Sequence, residues 1–326
     1  MGRLPDLGGC RDDGVVHGLL PAKGASGNSG SRQVKQGADS GFIKAMPALF
    51  VLIWSTGFIV ARFGMPFSPP MKFLLVRYAL SIACFLPWIF LARVKWPSNK
   101  TQWMHLAVTG VFMHAGYLGG VWAAVKAGMG SGLSALIVGL QPVLTALWLS
   151  SRGGKIARLQ WLGLVLGFIG LVMVVSRKFG QGGEADVINM AFAVGALFSI
   201  TIGTLYQKKF VAPCDVRSAN AVQLLAAALV TLPLALLEPE SMQWNTGLAG
   251  AMAWSVLALT LGGSSLLYLL IQRGAAATVT SLMYLVPPTT AFLAWLLFSE
   301  PITALTIAGT VLTAFGVSLV VRSSSK

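Results

Sequence analysis

One stretch of this chain occurs twice. From Ser134 to Val175 it reads SALIVGLQPVLTALWLSSRGGKIARLQWLGLVLGFIGLVMVV, two apolar helices joined by a short basic turn. Adding 146 to each number gives TSLMYLVPPTTAFLAWLLFSEPITALTIAGTVLTAFGVSLVV, Thr280 to Val321. Pro142 falls on Pro288, Ile156 on Ile302, Gly163 on Gly309 and Gly170 on Gly316. The offset holds upstream without a gap. Gly57 meets Gly203, Pro87 meets Pro233, Gly116 meets Gly262, Gly128 meets Gly274, and Trp122 meets Tyr268. Apolar matches are cheap in an apolar chain, so only Gly and Pro identities carry weight. Seven occur where chance gives roughly one, and the chain is therefore read as a duplication.

What is duplicated is decided by composition. The chain is 55% hydrophobic and 10% charged, with a mean hydropathy of +0.74. Soluble domains carry about 25% charged residues. Ten apolar segments reach the ~20 residues that a bilayer requires. They run near 44–64, 71–92, 102–124, 130–150, 157–176, 187–207, 217–237, 247–271, 275–298 and 302–321. The expected fold is an all-α integral membrane protein, with a first five-helix repeat over 44–176 and a second over 187–322. Residues 1–43 are rich in Gly, Ser and charge and lack the apolar core of a signal peptide. They are expected to be a disordered cytoplasmic tail, with Met46 as an alternative start just before the first span.

Lysine and arginine placement sets orientation. Eighteen fall in the tail and the loops on one side, and five (Arg62, Lys72, Lys126, Arg177, Lys178) on the other; Arg77 sits inside a span. Both termini are thus expected in the cytoplasm. Basic loops account for the net charge of +14 without nucleic acid as a partner. Five is an odd number of spans, so the second copy must insert upside down relative to the first. Inverted-topology repeats are a common build for secondary transporters working by alternating access.

Other classes find little support. No Asp or Glu lies inside a span, and the histidines are only His17, His105 and His114. HExxH and DxxxD are missing, as is a GxSxG with a partner base, and no GxxxxGK[ST] loop is present for nucleotide. Cys10, Cys84 and Cys214 are odd in number and scattered, so neither a disulfide framework nor a zinc site is indicated. No metal, cofactor or catalytic residue is expected. A membrane channel, or a membrane-embedded receptor or enzyme, stands as the alternative class.

Several segments resemble the EamA-type branch of the drug/metabolite transporter superfamily over about 44–322. They are Trp54-Ser55-Thr56-Gly57-Phe58, Arg77-Tyr78, Gly116-Tyr117-Leu118-Gly119, Gly132 to Pro142, Pro287-Pro288 and Phe298-Ser299-Glu300-Pro301. The family usually ends its fourth and ninth spans with a Gly-Glu step. The second copy keeps the acid as Glu300, whereas Gly154 takes that position in the first. The resemblance implies ten spans in two repeats and export of small organic metabolites or drugs across a bacterial inner membrane. It also implies a central cavity lined by spans one, three, four, six, eight and nine.

Polar and aromatic residues inside spans are the default site candidates. Trp54 and Ser55 mark span one. His114 and Tyr117 share a face of span three, and Trp122 continues outward. Gln141 marks span four, and Tyr268 and Tyr284 mark the second half. Pro142 and Pro288 are expected helix breaks beside the cavity. His114, Arg77 and Glu300 are candidates for coupling. Aromatic rings with sparse polar groups suit a small organic solute better than an inorganic ion. Trp54, Trp122 and Tyr268 are equally good packing or interface residues. The stripes of Gly163 and Gly309 suit close helix packing, against neighbouring helices or a second copy in a homodimer.

Overall fold

Hydrocarbon offers no hydrogen bonds, so a chain this apolar must satisfy its backbone within helices. The computed structural model describes residues 30–153, 157–178, 185–263, 266, 285–300 and 302–324, and among these no β-strand forms. The first half holds α1 (Gly30–Gly64), α2 (Pro70–Leu91), α3 (Lys100–Gly110), a π-helix π1 (Val111–Gly116) and α4 (Tyr117–Lys126). It continues with α5 (Ser131–Val138), α6 (Gln141–Ser151) and α7 (Arg158–Lys178). The second half holds α8 (Val187–Phe210), α9 (Val216–Leu237), α10 (Thr246–Trp254) and a second π-helix π2 (Ser255–Gly263). It ends with α11 (Val286–Phe298) and α12 (Ala304–Ser324). Ile43–Lys326 forms one compact unit, and Met1–Phe42 is a separate one.

Among the described residues, 7 helices are long and apolar enough to cross a bilayer. Lys100–Lys126 runs through α3, π1 and α4, and Thr246–Gly263 runs through α10 and π2. Three further apolar helices are shorter, Ala48–Gly64, Val286–Phe298 and Ala304–Leu319. The all-helical, membrane-spanning expectation holds. Much of the expected ninth segment lies outside the described residues.

The duplication is visible in local structure. Asn99 caps α3 by accepting from Gln102 N at 2.7 Å, and Asn245, 146 residues later, caps α10 by accepting from Leu248 N at 2.8 Å. Each satisfies an orphan donor of a helix start. Pro87 and Pro233 sit inside α2 and α9 at equivalent positions. The π-helices recur as well, π1 at 111–116 and π2 at 255–263. A π-turn is rare, and its wider backbone frees carbonyls for side-chain donors. Ser199 Oγ donates to Phe112 O of π1 at 2.8 Å, and Tyr78 Oη donates to His114 O at 2.8 Å.

Packing follows the small residues. A Cβ on Gly170 would lie 2.5 Å from Gly309 O, and one on Gly316 would lie 2.5 Å from Gly163 O. Between them Thr313 Oγ1 donates to Gly167 O at 3.3 Å. As the α7 number rises from 163 to 170, the α12 number falls from 316 to 309, so the two helices run antiparallel. The two glycine stripes are spent on each other within one chain. A side chain at any of these positions would part the backbones. The same exchange of partners recurs elsewhere. Gly57 on α1 packs against Leu259 of π2, and Gly203 on α8 packs against Met113 of π1. Helix α2 also packs on α9, α4 on α8, and α5 on α11.

Charges collect at the ends of the bundle. At one end Glu238 accepts from Met71 N and Lys72 N, each at 2.9 Å. Lys126 pairs with Glu240 at 2.7 Å and Arg62 with Glu300 at 3.3 Å. At the other end Asp215 pairs with Arg217 at 2.7 Å, and Ser218 Oγ donates to Lys95 O at 3.1 Å. Arg62, Lys72 and Lys126 thus share one end of the bundle, and Lys95 and Arg217 share the other.

Candidate functional site

A cavity of about 110 Å³ lies between α1, α2, π1, α4, α8 and π2. Its walls are largely apolar. Trp54 and Phe58 come from α1, Tyr117 and Trp122 from α4, Met113 from π1 and Leu259 from π2. Trp122 is buried and stacked on Phe73, with ring centroids 4.4 Å apart, which fixes its plane. Three polar side chains interrupt this wall: Arg77, His114 and Thr260.

These three are held by two crossing hydrogen-bonded contacts. Arg77 on α2 donates to Thr260 Oγ1 through Nε at 3.3 Å and Nη2 at 3.2 Å. The Thr260 hydroxyl itself donates to Ser255 O at 2.9 Å, so its lone pairs are left to the guanidinium. Across the bundle, the Gln223 side chain on α9 hydrogen-bonds the His114 side chain on π1. Adding 146 to Arg77 gives Gln223, and adding 146 to His114 gives Thr260. The same contact between counterpart positions is therefore made twice, once with a guanidinium and a hydroxyl, once with an amide and an imidazole. The arrangement offers a cation and an imidazole to whatever enters an aromatic cavity.

Of the residues singled out in the sequence, Trp54, Arg77, His114, Tyr117 and Trp122 come together around this cavity. Ser55 and Gln141 do not line it. Ser55 Oγ donates to Val51 O at 2.7 Å, and Ser55 O accepts from Thr290 Oγ1 at 3.3 Å, tying α1 to α11. Gln141 Nε2 donates to Thr204 Oγ1 at 2.9 Å, tying α6 to α8. Glu300 is buried at one end of the bundle, where Oε1 accepts from Ser131 N at 3.0 Å and faces Arg62. Pro142 lies in the first turn of α6, just after the helical path breaks between α5 and α6. Pro288 lies in the first turn of α11. Tyr268 and Tyr284 lie outside the described residues.

Sequence reasoning missed Thr260 and Gln223. Their signal was available: each is the repeat counterpart of a residue already chosen. No group of three or more His, Cys, Asp or Glu able to hold a metal occurs among the described residues.

Comparison with known proteins agrees with this architecture. Residues 43–176 and 187–322 each match the EamA-like transporter family. A protein of Escherichia coli K12 named "Uncharacterized inner membrane transporter YedA" is 27% identical over 245 residues, 74% of this chain and 78% of its own length. A Salmonella typhimurium protein named "Probable amino-acid metabolite efflux pump" is 25% identical over 279 residues, 82% of this chain and 91% of its own. One solved crystal structure shares the fold, with a TM-score of 0.61 over 86% of this chain and 98% of its own at 16% identity.

Proposed function

The chain belongs to the EamA-like transporter family, and we propose that it is a secondary transporter that exports small organic metabolites by alternating access between two inverted five-helix repeats. The observation that carries this reading is the exchange of contacts under the offset of 146. Gly170 with Gly309 becomes Gly163 with Gly316, Gly57 with Leu259 becomes Gly203 with Met113, and Arg77 with Thr260 becomes Gln223 with His114. Antiparallel packing of the counterpart helices α7 and α12 supports an axis perpendicular to both, which for spanning helices would lie in the membrane plane. Two halves so related can trade conformations around one cavity, closing first one side and then the other.

Trp54, His114, Tyr117 and Trp122 form the solute site, with Arg77 and Thr260 as its polar wall. His114 is the candidate for proton coupling, because imidazole changes charge near physiological pH. Orientation follows the basic loops, with both termini in the cytoplasm of a bacterial cell. The name of the Salmonella relative makes amino acids and their derivatives the first solutes to test. The glycine stripes that would have suited a homodimer are occupied by one another, so the reading needs only one chain.

Counterflow in proteoliposomes tests it. Vesicles loaded with an unlabelled amino acid or analogue should transiently accumulate the same labelled solute from outside. Labelled solute that merely equilibrates, with no overshoot across the panel, would point to a channel. Tolerance of overexpressing cells to toxic analogues, lost in His114→Ala at unchanged protein level, tests the direction of transport.

A further inference from the structure

Among the described residues, Arg77 is a cation with no counter-ion of its own. It is buried, with 7% of its surface exposed, and it lies about two turns into α2. Its hydrogen bonds to described residues both end on one neutral hydroxyl, Thr260 Oγ1. Among the described residues of the bundle the carboxylates are engaged elsewhere: Glu238 on the start of α2, Glu240 on Lys126, Glu300 on Arg62, Asp215 on Arg217, and Asp186 on the start of α8. The sequence places no Asp or Glu inside any span. A guanidinium carries five N–H donors and stays charged. At membrane depth such a charge is costly unless it is paired. Arg77 lines the cavity, so the cavity is where a partner can reach it.

The counterpart position sharpens the point. Gln223 occupies it and meets His114 with a neutral amide. The fold therefore does not ask for a charge at this place. The positive charge at Arg77 is an addition to what packing requires.

We propose that this cavity binds small organic carboxylates, with the carboxylate on the Arg77 guanidinium and the apolar body against Trp54, Tyr117 and Trp122. The proposal rests on reading this cavity as the solute site. A guanidinium matches a carboxylate by two parallel N–H···O bonds. The aromatic walls accept an apolar or aromatic body and reject a fully hydrated ion. Thr260 holds one edge of the guanidinium through Nε and Nη2, which orients the remaining N–H groups.

The test compares phenylacetate with phenylacetamide, which share a body and differ in charge. Equilibrium binding of each is measured by scintillation proximity on the full chain in lipid nanodiscs. The carboxylate should bind roughly ten-fold more tightly or better, as one charge-assisted contact predicts. Arg77→Lys should keep the preference. Arg77→Gln, which installs the residue of the counterpart position, should abolish it, bringing phenylacetate down to the affinity that the same variant shows for phenylacetamide, and a melting temperature in detergent close to the parent's reports an intact fold. Equal binding of the two by the parent chain, binding of neither, or a preference that survives in Arg77→Gln would each overturn the proposal. The two readings fail separately. A carboxylate preference without counterflow of any solute contradicts transport and leaves the carboxylate site standing. Counterflow of neutral solutes with no preference does the reverse.

Discussion

Thr313 donates a hydrogen bond to the carbonyl of Gly167, the residue that stands 146 positions earlier and is its own counterpart in the duplication. Such a contact is expected where two copies related as the proposed inversion requires would cross. Gly170 with Gly309 and Gly163 with Gly316 flank that point on either side. The contact also explains why the glycines are there. Two helices that cross on an axis bring backbone onto backbone, and any side chain at the crossing is met by its counterpart's neighbours.

Substitution at this crossing should therefore be severe. Gly170→Leu forces a side chain into Thr313 and Gly309, and overpacking of this kind costs about 1–3 kcal/mol or more. The expected outcome is a lowered melting temperature in detergent and loss of monodisperse protein. Gly250→Ala is the matched control: nothing lies within 4 Å of its would-be Cβ, and it sits in helix α10. It should raise stability by about 0.5–1 kcal/mol through helix propensity.

The crossing contacts at the cavity predict energetic coupling. Thr260→Val removes the acceptor of the buried Arg77 while keeping its shape. Stability should fall by about 1–3 kcal/mol, the cost of leaving a buried charged donor unsatisfied. In a double-mutant cycle with Arg77→Gln, the loss should shrink, because an amide is cheaper to leave alone than a guanidinium. Additive losses would mean that the two residues do not interact.

Glu300 is expected to act on closure of one end and not on solute binding. It joins the start of α5 through Ser131 N to Arg62 of α1. Glu300→Ala should cost about 1–3 kcal/mol, since a buried backbone donor loses its acceptor. Reactivity of a cysteine placed at Met65 toward an impermeant maleimide should rise, while solute affinity changes little. A large loss of affinity with unchanged reactivity would move Glu300 into the site.

Ser55 and Gln141 should separate from the cavity residues in transport assays. Ser55→Ala and Gln141→Ala each remove a tie between helices and should lower stability with solute specificity preserved. Trp54→Ala and Tyr117→Ala should change which solutes are taken, measured as the ratio of counterflow rates across a panel.

These cases show what a sequence read by spacing can deliver. Trp54, Arg77, His114, Tyr117 and Trp122 were legible in the sequence as charged, polar or aromatic residues on apolar spans, and the structure brings them around one cavity, the proposed solute site. Ser55 was not, because a hydroxyl on an apolar helix finds a partner in its own backbone four residues back. Gln141 was not, because its partner Thr204 lies 63 positions away on another helix. The π-helices were illegible as well, since nothing in VFMHAG or SVLALTLGG marks a wider turn. Thr260 and Gln223 fall between these cases. They are ordinary polar residues until the offset is applied to His114 and Arg77, and then they are the counterparts that those two residues meet.

The inverted arrangement of the repeats is tested most directly by counterpart positions in exposed loops. Ser98 and Trp244 are 146 residues apart and lie just before the capping residues Asn99 and Asn245. Single cysteines are placed at each in a chain whose Cys10, Cys84 and Cys214 are replaced by Ser. Labelling with an impermeant maleimide is then compared in intact cells and in inverted membrane vesicles. Inverted repeats predict that Trp244→Cys labels in intact cells and Ser98→Cys only in inverted vesicles. Both positions labelling from the same side would contradict the inversion, and with it the exchange of roles on which alternating access depends.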